Sequence, residues 1–118
     1  DFSVGECWDG TNTIKNWIEG TAVDNTIQSA AFDFQFRYTV RNAMNKGNYS
    51  LLNEPNENNW PLVSFNQNNG QYRRYAVTFV ENHDTEYRSA NAPQDPLKKD
   101  TLAANAYLIA MPGTPCVL

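Results

Sequence analysis

Short apolar runs suited to buried strands alternate along the chain with stretches whose apolar residues recur every three or four positions. Phe2 to Glu6 reads as a strand, and Asp9-Gly10 supplies turn chemistry after it. From Thr13 the pattern is helical, with Ile14, Trp17 and Ile18 at i, i+3 and i+4 and Gly20 placed as a C-cap. Ala30 to Phe34 (AAFDF) is a second strand, followed by Phe36, Val40 and Met44 on one helical stripe that stops at Gly47. Tyr75 to Val80 is a third strand. Asp95-Pro96 has the chemistry of a helix start, Leu102, Ala106 and Ile109 form that helix's apolar stripe, and Pro112-Gly113 ends it before a fourth strand opens at Pro115 to Leu118. Strands separated by helices are joined by crossovers and lie parallel, so the fold class is α/β. No internal repeat or low-complexity linker divides the 118 residues, which are expected to form part of one domain without an internal boundary.

The exception to the alternation is Asn45 to Asn69, which holds nine asparagines together with Pro55 and Pro61. Such a composition favours turns and caps over long regular elements, and an elaborated loop with a short helical turn around Tyr49 to Leu52 is expected. Asn48-Tyr49-Ser50 is a glycosylation sequon, meaningful only in a eukaryotic secreted context. Both ends of the chain fall in strand-like material, DFSVGE and TPCVL, where natural domains end in polar segments; a piece of a longer chain is the expectation.

The 41% hydrophobic content supports a packed core, and the formal net charge of -4, with no compensating basic cluster, argues against a nucleic-acid partner. No apolar run approaches the roughly 20 residues that cross a bilayer, so no membrane partner is expected. Cys7 and Cys116 lie at opposite ends of the sequence and read as free, mostly buried thiols rather than a bridge. One histidine and two distant cysteines fit no zinc spacing.

In parallel α/β architectures functional side chains gather at the carboxyl ends of the strands, where the loops converge. Two strands here end in ionisable groups: Glu6 after FSVG, and Glu81-Asn82-His83-Asp84 after VTFV. Facing carboxylates can perform general acid/base work on a glycosidic bond. A glutamate at a strand end is more often a solvated residue or a cap partner, and Asn-His-Asp can equally satisfy loop amides; spacing alone leaves both readings open. Glycine-rich phosphate loops and the G-x-S-x-G elbow are absent.

FSVGE, AAFDF, AVTFVENHDT and AYLIAMPGTPCVL, in that order and over nearly the whole chain, resemble the second half of the catalytic barrel of the α-amylases, glycoside hydrolase family 13. AVTFVENHDT is the most specific of these motifs. The resemblance implies a partial eight-stranded (β/α) barrel, strands five to eight with their intervening helices, from a retaining hydrolase of α-1,4 bonds in starch or maltooligosaccharides. Glu6 corresponds to the general acid/base, a role suited to a partly desolvated cleft, and Asp84 to the transition-state stabiliser. His83 would donate a hydrogen bond to the same sugar, with Glu81 and Thr85 as framework. Tyr87 and Arg88 extend the sugar site or remain solvated, and Trp8 stacks on a sugar face or packs into its own loop. The family's nucleophile, an Asp in a G-x-R-x-D-type motif, matches no residue here: Asp9, Asp24 and Asp33 lack that context. The segment alone is therefore expected to be inactive, and an open half barrel either to associate with a second copy or to be a stretch of a longer chain. No cofactor is expected within it; calcium is expected only with a complete chain, and secretion or a periplasmic location follows from the family. Glucanotransferases, α-glucosidases and non-catalytic carbohydrate-binding homologues share the same pattern and stay open.

Overall fold

A computed structural model describes residues 3–64, 72–81 and 100–117. Four short strands, β1 (Val4–Gly5), β2 (Ala30–Phe32), β3 (Ala76–Thr78) and β4 (Thr114–Pro115), form one sheet in chain order, every neighbouring pair parallel. Sequential order without a reversal is the winding of a barrel sector rather than of a doubly wound sheet, whose order turns back at a switch point. Helices α1 (Thr11–Gly20), α2 (Phe34–Lys46) and α3 (Thr101–Ala110) lie between successive strands, with a 3-10 turn at Tyr49–Asn53.

Helix α1 buries Ile14 and Ile18 and lays Trp17 against β1. Gly5 makes that contact possible, since a Cβ on it would sit 2.0 Å from the Trp17 ring. The N-terminus of α1 is capped from far along the chain: Thr11 N–H donates to the Asn59 side-chain oxygen at 3.0 Å, and the Thr11 hydroxyl donates to the Trp60 carbonyl. Asn59 is presented by a bridged turn, Asn56 to Asn59, in which Glu57 and Asn58 both have positive φ (48° and 68°); asparagine tolerates that geometry better than most residues. Gly20 does not act as a left-handed cap. It is the last helical residue, and Thr21 closes the helix instead, its hydroxyl donating to the Ile18 carbonyl at 2.7 Å.

The AAFDF run is shorter as a strand than expected. It leaves the ladder after Phe32 because Asp33 caps α2, its side chain accepting from Phe36 N–H at 3.1 Å. Helix α2 buries Phe36, Val40 and Met44, as its stripe predicts, and ends at left-handed Gly47. It also buries Phe34, Gln35, Arg37, Thr39 and Ala43, because loop, sheet and α3 each cover part of its surface.

In α3 the expected apolar face is the wrong one. Leu102 and Ile109 are 86% and 64% exposed, and Ala106 is exposed as well, whereas Ala104 and Leu108 are fully buried. Tyr107 stacks on Phe36 with ring centroids 5.8 Å apart. TLAANAYLIA is apolar on nearly every face, so periodicity does not select the packed one. The Asp95-Pro96 start lies outside the described residues. The fourth strand pairs one residue earlier than expected, Thr114 and Pro115 with Val77 and Thr78. Pro115, which lacks a donor, sits on the outer strand of the described sheet, where no ladder hydrogen bond is lost. Cys7 and Cys116 are free thiols; burial, followed by the nearby Asp9 charge, raises the Cys7 pKa, and Cys116 is exposed rather than buried.

Because Trp17 occupies the space above Gly5, Gly5→Ala is expected to lower stability by about 1–3 kcal/mol, the usual cost of overpacking. Gly20→Ala, where an added Cβ meets nothing within 4 Å, is expected to be neutral or stabilising. Urea denaturation of the two variants measures the contrast.

Candidate active site at the carboxyl ends of the strands

The parallel arrangement carries the residues following each strand to one end of the sheet. Glu6 comes directly after β1 and is exposed. The partly desolvated cleft expected around it is not formed by the described residues, because β1 is the outer strand of their sheet and has a neighbour on one side only. Trp8, 43% exposed, is held flat against Phe34 with ring centroids 4.9 Å apart and planes 15° from parallel. Its indole N–H donates to the Tyr38 hydroxyl. Trp8 therefore has one ring face packed and its position fixed at both ends. Beneath it Phe34 meets Phe79 edge-on at 5.1 Å, and Phe79 meets Phe32 at 5.6 Å, so aromatic packing joins the ends of β2 and β3.

Sequence reasoning set Asp33 aside as a nucleophile and passed over Arg37; the structure gives both a place. Asp33 is fully buried, accepts from the Val63 and Phe36 amides, and through its own N–H donates to the Val77 carbonyl on β3. Burial pushes its carboxyl up to about 6, outweighing the Leu62, Phe36 and Val63 amide hydrogen bonds that pull it down. Arg37 is fully buried as well. Its Nε donates to the Val80 carbonyl at 3.2 Å and its Nη2 to Glu81 Oε1 at 3.3 Å. The signal for both was present in the stripe: Asp33, Arg37, Val40 and Met44 fall at i, i+4, i+7 and i+11, which puts two ionisable groups on the buried face of a helix.

Glu81 is the last described residue beyond β3. His83 and Asp84 follow it in sequence, and they, with Tyr87 and Arg88, lie outside the described residues. Among the described residues the site thus consists of Glu6, Trp8, buried Asp33 and the Arg37–Glu81 pair. No group of three or more His, Cys, Asp or Glu that could hold a metal ion occurs among the described residues, and none of their helices is long and apolar enough to cross a membrane.

A singly wound parallel sheet flanked by helices has the architecture of part of a (β/α) barrel. The family model described as "Alpha amylase, catalytic domain" matches residues 1–118, and the chain belongs to this α-amylase family. Relatives include a "Probable alpha-amylase 2" of Arabidopsis thaliana, 34% identical over 98% of this chain and 29% of the relative. A "Glucan 1,4-alpha-maltotetraohydrolase" of Stutzerimonas stutzeri is 31% identical over 98% of this chain and 21% of its own length. "Alpha-amylase 3, chloroplastic" of Arabidopsis thaliana is 29% identical, with 13% of its length covered. The chain spans less than a third of the length of these relatives.

The Asp33 environment has a definite pH signature. Its folded pKa is raised, so the stability linked to its neutral form is fully present below the ordinary carboxylate range and is lost as pH rises through about 6. Asp33→Asn cannot titrate. The stability difference between wild type and this variant is expected to shrink by about 2–3 kcal/mol between pH 4 and pH 7, on the scale of about 1.4 kcal/mol for each pKa unit. Urea titrations of both proteins across that range test it.

Proposed function

We propose that this chain is the second half, strands five to eight, of the catalytic barrel of a retaining glycoside hydrolase that cleaves α-1,4 bonds in starch or maltooligosaccharides. The observation that carries the reading is the position of Glu6, one residue beyond the first of four sequential parallel strands, in a chain matched to the amylase catalytic domain along its entire length. The names of the relatives, amylases and a maltotetraose-forming glucan hydrolase, support the same substrate class.

In this reading Glu6 protonates the departing glycosidic oxygen as general acid, then takes a proton from the incoming water as general base. Asp84 carries the negative charge that the oxocarbenium-like transition state needs, and His83 donates to a hydroxyl of the sugar at the cleavage point. Trp8, exposed yet fixed by Phe34 and Tyr38, offers a flat apolar surface on which a sugar ring can stack, and Arg88 is a further residue of the sugar site. A retaining reaction also needs a carboxylate about 5–5.5 Å from the acid to attack the anomeric carbon. That nucleophile belongs to a part of the protein other than these residues. Calcium, which the family resemblance implies for a complete chain, enters no step of this scheme.

In the complete protein, Glu6→Gln is expected to lower kcat by about 10²- to 10⁴-fold, the range for removal of a general acid or base, and Asp84→Asn by about 10²- to 10³-fold, the range for loss of one group that stabilises transition-state charge. The anomeric configuration of the first product, followed by NMR, is expected to be retained. Inversion, or wild-type turnover in Glu6→Gln, overturns the reading, and product analysis separates hydrolysis from glucan transfer. The 118-residue segment, purified alone, is expected to release no reducing sugar from starch; measurable release by pure material would show that the nucleophile lies within it.

A further inference from the structure

The ladder of β3 ends at Thr78, whose carbonyl accepts from Cys116 N–H at 2.8 Å. The chain then runs on, buried, through Phe79 and Val80 before reaching Glu81. Over this stretch the hold comes from the side, from the first turns of α2. The Arg37 guanidinium donates through Nε to the Val80 carbonyl and through Nη2 to the Glu81 carboxylate. The same helix start is fixed to β3 lower down, where Asp33 N–H donates to the Val77 carbonyl at 2.9 Å. Two successive attachments one helical turn apart thus tie α2 to β3 and to the chain leaving it.

A buried cation is an expensive way to fill space. Removing charge from water costs several kcal/mol in a protein interior, and a Leu or Met of similar reach packs more cheaply. Burial indeed lowers the Arg37 pKa, against the pull of Glu81. What arginine provides and an apolar residue does not is a planar fork of donors that meets a carbonyl and a carboxylate at once and fixes their relative positions. The Arg37 guanidinium carbon also lies 5.4 Å from the centroid of Tyr38, the residue that holds Trp8. One cation thus stands between the β3 exit and the aromatic support on the β1 side.

We propose that Arg37 is a positioning residue for the amylase-type reaction: by clamping Val80 and Glu81 it sets the point and direction at which the chain leaves β3 toward His83 and Asp84. The proposal rests on the functional reading above. Asp84 is three residues past the clamped carboxylate, within about 11 Å along an extended chain. Slack at the clamp is therefore passed on to a group for which a displacement of about 1 Å can cost 10²-fold in rate. Arg37 touches no substrate in this scheme; it acts through the backbone it holds.

The test uses the complete protein with Arg37→Met, Arg37→Lys and Glu81→Gln. Each variant is measured for melting temperature, for kcat and KM on a maltooligosaccharide, and for hydrogen exchange at the amides of residues 80–84. Arg37→Met is expected to stay folded with KM within about threefold of wild type, to lose about 10- to 100-fold in kcat, and to exchange faster at those amides. Arg37→Lys, which keeps the charge without the fork, is expected to recover part of both losses. Glu81→Gln removes one charge-assisted contact and is expected to lose about tenfold in kcat, the rate equivalent of one hydrogen bond. A folded Arg37→Met with wild-type kcat and unchanged exchange overturns the proposal; if that variant does not fold, wild-type kcat in Glu81→Gln overturns it instead. If the wild-type protein cleaves no α-glucan, the functional reading fails by itself, and the exchange data still decide the clamp: unchanged protection at residues 80–84 in the variants removes it.

Discussion

The carboxylate of Asp33 is the joint on which the described structure turns. It ends β2, caps α2 and accepts the Val63 amide, while its own N–H binds the β3 backbone. A group taken fully out of water is costly unless each oxygen is met by donors, and the surrounding amides meet this one. Those donors come from the first turn of α2 and from the loop at Leu62 and Val63, and the Asp33 backbone N–H adds a link to the Val77 carbonyl of β3, so one residue ties three segments together. The point where β2 leaves its ladder with β3, just past the Phe32–Val77 pair, and the start of α2 thus meet at one residue.

From that joint the candidate site is built outward. Helix α2 starts at the carboxyl end of β2, so its first turns lie beside the rim and carry Phe34 under Trp8, Tyr38 against the Trp8 indole N–H, and Arg37 to the end of β3. The rim is thus supported by buried side chains on a helix rather than by loop residues alone. Side chains locked by packing in this way hold the groups they support within fractions of an ångström.

Much of the architecture was legible in the order of its patterns. Alternating strand and helix signals implied parallel strands, the stripe of Phe36, Val40 and Met44 marked the buried side of α2, and Gly47 marked its end, all as found. Legibility failed where sequence is degenerate or where distant partners decide. The face of α3 was misread because apolar residues surround the helix, so only the neighbours choose between Leu102 and Leu108. Gly20 was misread because the Thr21 hydroxyl did the work of a left-handed cap. At the site, Glu6 directly follows β1, where the strand-end argument puts it. Asp33 and Arg37 were missed because a charged residue on a helical stripe reads as an interruption until its partners, Val63, Val80 and Glu81, are brought beside it by the fold.

The cap on α1 bears on how the structure forms. Its first turn is closed by Asn59, 48 residues downstream of Thr11, so this end of the helix depends on a contact that closes a long loop of chain. Short helices are marginal by themselves in water, and contacts so widely separated in sequence slow folding by the entropy of closing the loop between them. The asparagine-rich stretch, which looks in sequence like a tolerant surface loop, is in this respect a fastening for a helix that lies far from it along the chain.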